Sequence, residues 1–138
     1  MRRTCNGALA LVMALCLAGC DNELEDLPTP TDPVRTTEEF TGTLGINGAA
    51  THPFIVVATG TTTATISEVL PDPAIGVGFL LGTWNGTACA ASSITMDNAI
   101  QGNTITGTST GTGTLCVRIH DNGKLVEPIT YKLTVVHP

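Results

Sequence analysis

The chain has 138 residues, room for one domain. It carries 12 acidic against 6 basic residues, a formal net charge of −6, which argues against nucleic acid and anionic lipid as electrostatic partners. Its five cysteines make the compartment in which it folds the first question.

Met1, Arg2 and Arg3 form a short basic start, and an apolar run follows from Ala8 to Ala18. This is the layout of an export signal. The run is too short to cross a bilayer, which takes ~20 apolar residues. It ends in Leu17-Ala18-Gly19-Cys20, which resembles the lipobox of bacterial lipoproteins. The resemblance implies a signal peptide over 1–19, cleavage before Cys20, and acylation of the Cys20 thiol by diacylglycerol and a fatty acid such as palmitate. Asp21 directly after that cysteine resembles an inner-membrane retention signal of enteric bacteria.

Removal of Arg2 and Arg3 leaves four basic residues against twelve acidic ones, a net charge near −8. Attachment to a membrane therefore rests on the covalent lipid, since several acyl chains anchor far more firmly than one. Cys5 and Cys16 leave with the signal, and Cys20 becomes a thioether. Cys89 and Cys116 remain, an even pair in an exported protein, and we expect them to form a disulfide. The alternative is two free thiols. A metal site is disfavoured, because there is no CxxC spacing.

From Cys20 to residue 37 the sequence has the composition of a disordered linker, with Glu23, Glu25 and Asp26 followed by Pro28, Pro30 and Pro33. From Glu38 to Pro138 threonine, glycine, valine and isoleucine dominate, and no window carries a 3.6-residue apolar period. Short runs between turn signals predict about seven strands: 39–46, 52–58, 62–69, 75–83, 103–108, 113–121 and 130–137. The stretch 85–100 is expected to be a loop. Leu115, Val117 and Ile119 alternate with Cys116, Arg118 and His120, and Ile129, Tyr131, Leu133 and Val135 with Thr130, Lys132 and Thr134. Strands with one apolar face need a second layer, so the expected fold is all-β, an antiparallel, jelly-roll-like sandwich. With Val117 in the core, Cys116 faces outward, and a bridge to Cys89 would run over the outer face of its sheet.

The segments Phe40-Thr41-Gly42-Thr43-Leu44, His52-Pro53-Phe54-Ile55-Val56, Gly76-Val77-Gly78-Phe79-Leu80-Leu81 and Gly113 to Asp121, with the closing Tyr131-Lys132-Leu133-Thr134-Val135, resemble the bacterial pre-peptidase C-terminal (PPC) domain. The resemblance implies a non-catalytic accessory sandwich. Some related modules bind calcium near the first strand, which makes Glu38 and Glu39 weak calcium candidates; no other cofactor or metal is implied.

Little in the sequence suggests catalysis. His52, His120 and His137 are the only imidazoles, expected at the surface or in turns. Asp97-Asn98 and Asp121-Asn122-Gly123 carry oxygens that could face calcium, but turn chemistry explains them better. Trp84 and Asn85 are the expected binding loop, with Trp84 exposed at its tip or capping the core.

The sequence therefore predicts a lipid-anchored protein of the cell envelope, on the periplasmic side of either membrane or at the cell surface. Its sandwich is expected to be a binding or structural module and no enzyme, with an envelope protein or polysaccharide as partner. Two other expectations are a small inhibitor of a peptidase or lysozyme, acting through the disulfide-stapled 85–100 loop, and a calcium-stabilised adhesive module.

Overall fold

The computed structural model describes residues 33–138. The expected signal peptide, Cys20 and the linker up to residue 32 lie outside the described residues. The rest forms eight strands: β1 Thr36–Leu44, β2 Ala49–Val56, β3 Thr59–Leu70, β4 Val77–Trp84, β5 Cys89–Ala99, β6 Thr104–Thr110, β7 Gly113–His120 and β8 Ile129–His137. They build two four-stranded antiparallel sheets, ordered β1-β8-β3-β6 and β2-β7-β4-β5. This is the strand order of a jelly roll, in which successive strands cross between two packed sheets.

The expected alternation holds in both closing strands. Val117, Ile119, Ile129, Tyr131, Leu133 and Val135 are buried, and Leu115 is half-buried against the same cluster. Phe54, Ile66, Val77, Phe79 and Leu81 join them from the other strands. Polar turns separate the elements. Asn47 takes a positive φ of 54°, and Gly48 N–H donates to the Gly45 carbonyl at 2.9 Å. Gly123, at φ 78°, closes the turn after Asp121 and Asn122. Asn side chains tolerate this left-handed region and Gly meets no steric penalty there.

Two expectations need correction. There are eight strands, because the supposed 85–100 loop contains β5, an edge strand paired with β4. Its alternation is interrupted where the register shifts between Val77 and Phe79 and again between Leu80 and Gly82. A bulge places extra residues against the partner strand and breaks the period of two. The second correction is the start of β1, at Thr36 rather than 39. The last two residues of the expected linker are therefore sheet residues, paired with Val136 and His137.

Antiparallel pairing sorts the connections to the two ends of the sandwich. Thr36 pairs with His137, Val56 with Gly113, Thr59 with Thr110 and Trp84 with Cys89. One end thus collects the start of β1, the last residues 137–138, and the β2–β3, β4–β5 and β6–β7 turns. The opposite end holds the loops around Asn47, Pro71 to Pro73, Gln101 and Asp121 to Pro128. The outer face of the first sheet is a threonine grid. Thr59, Thr61, Thr63 and Thr65 pair one to one with Thr110, Thr108, Thr106 and Thr104.

Candidate functional site

The end that collects the first and last described residues contains most of the features expected to bind something. Cys89 and Cys116 form the predicted disulfide, with Cα atoms 5.7 Å apart. Cys116 is fully buried and Cys89 half-buried. The bridge lies on the outer face of its sheet, as the parity of Cys116 requires, and passes over β4, which separates β5 from β7. Gly82 makes that crossing possible. A Cβ on Gly82 would stand 2.1 Å from the Ala90 carbonyl oxygen and 3.3 Å from Cys89 Sγ. The start of β5 is thus folded down onto the face of β4, and only a residue without a side chain fits beneath it.

Trp84 ends β4 and is half-buried. It does not belong to the core cluster. By strand parity it shares the outer face with Leu80 and Gly82, beside the disulfide, and does not cap the core. Asn85 shapes the following turn. Its Oδ1 accepts from the Thr87 and Ala88 backbone N–H groups at 2.9 and 2.8 Å. Its own N–H donates to the Ala88 carbonyl at 3.2 Å. Both polar ends of this loop are therefore committed to its shape. Shallow recesses lie at the same end of the sandwich. One of about 300 Å³ opens between Val56, Thr83, Leu115 and the 108–114 hairpin. Another of about 290 Å³ lies between Pro33, Arg35, Gly60, Thr61 and Pro138. Threonine hydroxyls and methyls line both, with no aromatic platform.

Glu38 and Glu39 sit on consecutive positions of β1 and so point to opposite faces. Glu38 Oε1 accepts from His137 Nε2 at 2.9 Å, while Glu39 Oε1 pairs with Lys132 Nζ at 2.8 Å. Glu39 in turn raises the Lys132 pKa, first through their hydrogen bond. Each carboxylate is therefore engaged with a basic partner, and the structure does not turn the two toward one cation.

The histidines correct another expectation, because two of them lie between the sheets. His137 continues the inward parity of β8, is 3% exposed, and packs its ring 5.1 Å from Phe54. His52 stacks on Phe40 at 4.9 Å, with Nε2 2.8 Å from the Tyr131 hydroxyl. Burial lowers the His52 pKa and raises that of Tyr131. Gly42 accommodates Tyr131, since a Cβ there would meet the hydroxyl at 2.5 Å. His120 lies on the outer face, its ring filling the space above Gly78. These imidazoles join strands. Their ring contacts go to Tyr131, Glu38, Pro138, Phe40 and Phe54, and none to a serine or threonine hydroxyl.

Asp97-Asn98 and Asp121-Asn122-Gly123, far apart in sequence, meet at the opposite end. Asn122 Nδ2 donates to the Asp97 carbonyl, and Lys124 Nζ to Asn98 Oδ1. Asp121 accepts the Asn47 N–H at 2.8 Å and those of Lys124 and Leu125 at 2.8 and 3.1 Å. The Asn47 bond is the main cause of its lowered carboxyl pKa. These oxygens stitch loops together, and a lysine ammonium already occupies the position where a cation would bring charge. Among the described residues no group of three or more His, Cys, Asp or Glu could hold a metal ion.

The pairings that sequence reasoning missed are non-local. His137–Glu38 was the more accessible, because the period of two from Ile129 places residue 137 inward. No known family model matches the chain, and no curated protein is similar enough to match it.

Proposed function

We propose that this chain is a lipid-anchored protein of the bacterial cell envelope, whose sandwich is a non-catalytic binding or structural module. The observation that carries the reading is the cysteine pairing. Cys89 and Cys116 close on each other. Of the three cysteines from Cys20 onward, this leaves the one in Leu17-Ala18-Gly19-Cys20 free to take lipid. A structural disulfide also suits a compartment outside the cytosol.

The site geometry supports a module without catalysis. The imidazoles that would serve as general bases are built into the packing between strands, and the carboxylates of Glu38, Glu39, Asp72 and Asp121 pair with bases or cap turns. The recesses near Trp84 and Pro138 offer hydroxyls, methyls and backbone groups, the equipment of a contact surface. An accessory role of the PPC kind, beside another envelope protein or a polysaccharide, fits these features.

Two measurements test the reading. Cells expressing the full chain and fed an alkyne fatty acid should label it, and Cys20→Ser should abolish both label and membrane fractionation. An unlabelled, freely released wild-type protein would refute the anchor. Hydrolytic activity against envelope peptides or glycans, lost in His52→Gln or His137→Gln without loss of fold, would refute the absence of catalysis.

A further inference from the structure

Exposed apolar side chains stand at both ends of the sandwich, with Ile46, Leu70, Ile100 and Val126 at the acidic end; what sets the end of the first and last described residues apart is its lack of loop carboxylates. Val34, Ile55 and Val57 are 84%, 62% and 66% exposed. Val57 N–H donates to the Pro138 carbonyl at 3.2 Å. A Cβ on Gly60 would lie 3.1 Å from Pro138 and 3.8 Å from Pro33. Val57, the 33–35 segment and the β2–β3 turn are therefore neighbours. On the outer face of the second sheet Ile55 pairs with Thr114. Trp84 lies level with Thr114 on the other side, one step past the Thr83–Leu115 pair. The next row inward is Pro53, Cys116 and Gly82, with the disulfide above it. The result is a mixed strip at one end of the molecule, in which Ile55 and Trp84 stand on either side of Thr114 and the exposed Val34 and Val57 lie at the same end. Apolar strips that stay exposed on a folded domain commonly mark contact surfaces.

Charge is distributed in the same sense. The segments 33–37, 57–59, 84–89 and 110–114 contain one charged residue, Arg35, and no carboxylate. Asp72, Asp97, Asp121 and Glu127 all lie at the opposite end. An anionic domain approaching phosphate headgroups would present first the end whose turns hold Arg35 and no carboxylate, and turn the acidic loops away.

The length of chain before this end supplies the partner. Twelve residues separate Cys20 from Pro33. They reach at most about 45 Å at full stretch. A lipid at Cys20 would thus hold this end, and not the acidic one, at an effective concentration of order millimolar against the bilayer. Weak apolar contacts then suffice. A single tryptophan beside such a strip is suited to the headgroup layer, where an indole keeps its ring apolar and its N–H wet.

We propose that the end bearing Val34, Ile55, Val57 and Trp84 rests on the lipid surface, so that the acidic end is presented outward; this depends on the acyl anchor at Cys20. Trp84 is the only tryptophan of the chain and reports directly on the idea. The acylated full-length protein is reconstituted into phosphatidylcholine vesicles with and without brominated acyl chains. Trp84 emission should shift to shorter wavelength in the vesicles and be quenched by the bromolipid. Ile55→Asp with Val57→Asp should remove the quenching, while Val126→Asp, at the opposite end, should leave it unchanged. Vesicle flotation and disulfide content are followed for every variant. Flotation of the unsubstituted protein without quenching would overturn the docking and leave the anchor standing. Quenching that persists in the folded double variant would overturn the assignment to this strip. Failure to float, with no acyl group on Cys20, would refute the anchor itself and the docking with it.

Discussion

His137 Nε2 stands 2.9 Å from Glu38 Oε1, a polar contact that joins the buried end of the last strand to a partly exposed carboxylate on the first. His137 is almost wholly buried. An imidazole stripped of its partner at such a place bears a desolvation cost with nothing to offset it. Glu38→Ala should therefore destabilise the domain by about 1–3 kcal/mol, measured by denaturant unfolding. An effect near zero would show that water or another group takes over the partnership.

Gly82 gives a second, sharper expectation. Its missing Cβ leaves room for the Ala90 carbonyl, a backbone atom that cannot rotate aside. Gly82→Ala should cost at least the roughly 1–3 kcal/mol typical of overpacking. It should also slow closure of the Cys89–Cys116 bridge, followed by thiol titration during refolding. Normal stability together with a normal oxidation rate would mean that β5 does not lie over β4 as described.

The disulfide itself can be weighed. It closes a loop with a sequence separation of 27. The chain-entropy model gives about 3.5 kcal/mol for a loop of that size. Cys89→Ser combined with Cys116→Ala should lower the unfolding free energy by about that amount, with protease cuts appearing first in 85–93. Uniform proteolysis instead would argue that the bridge supports the whole sandwich and not the edge strand.

Stability should also fall with acid in a definite window. Burial holds the His52 pKa below its ordinary 6.5. The unfolded chain therefore binds a proton there before the folded one does. The contribution of neutral His52 is complete above pH 6.5 and is lost as pH falls from 6.5 through the folded-state pKa. His52→Gln should flatten that limb of a stability–pH curve. A slope equal to wild type would move its origin to another group. At lower pH Asp121 acts in the same direction, since backbone N–H bonds, that of Asn47 first, depress its pKa below 3.8. Its contribution is present above pH 3.8 and is lost as the carboxyl protonates.

What the sequence made legible was whatever lay in a period of two. The inward sets of β7 and β8, the outward parity of Cys116 and the sandwich itself all follow from alternation, because one apolar strand face requires a covering layer. β5 escaped because its period is broken by two register shifts and its composition is small and polar, with Asp97-Asn98 imitating a turn. The histidines escaped for a different reason. Polar residues were assigned to water, whereas His52 and His137 are tolerated inside because Tyr131 and Glu38 meet their ring nitrogens. Nothing local in the sequence announces either partner. Asp97 and Asn122 show the same limit, since turn residues from two distant loops came together only through the order of the strands.

The pairing of Thr36 with His137 sets the first and last strands side by side, with both ends of the domain emerging together. Such a module can be spliced into a surface turn of another protein without stretching its host. It can equally be opened at Asn122-Gly123 and rejoined across a short peptide between residues 138 and 33.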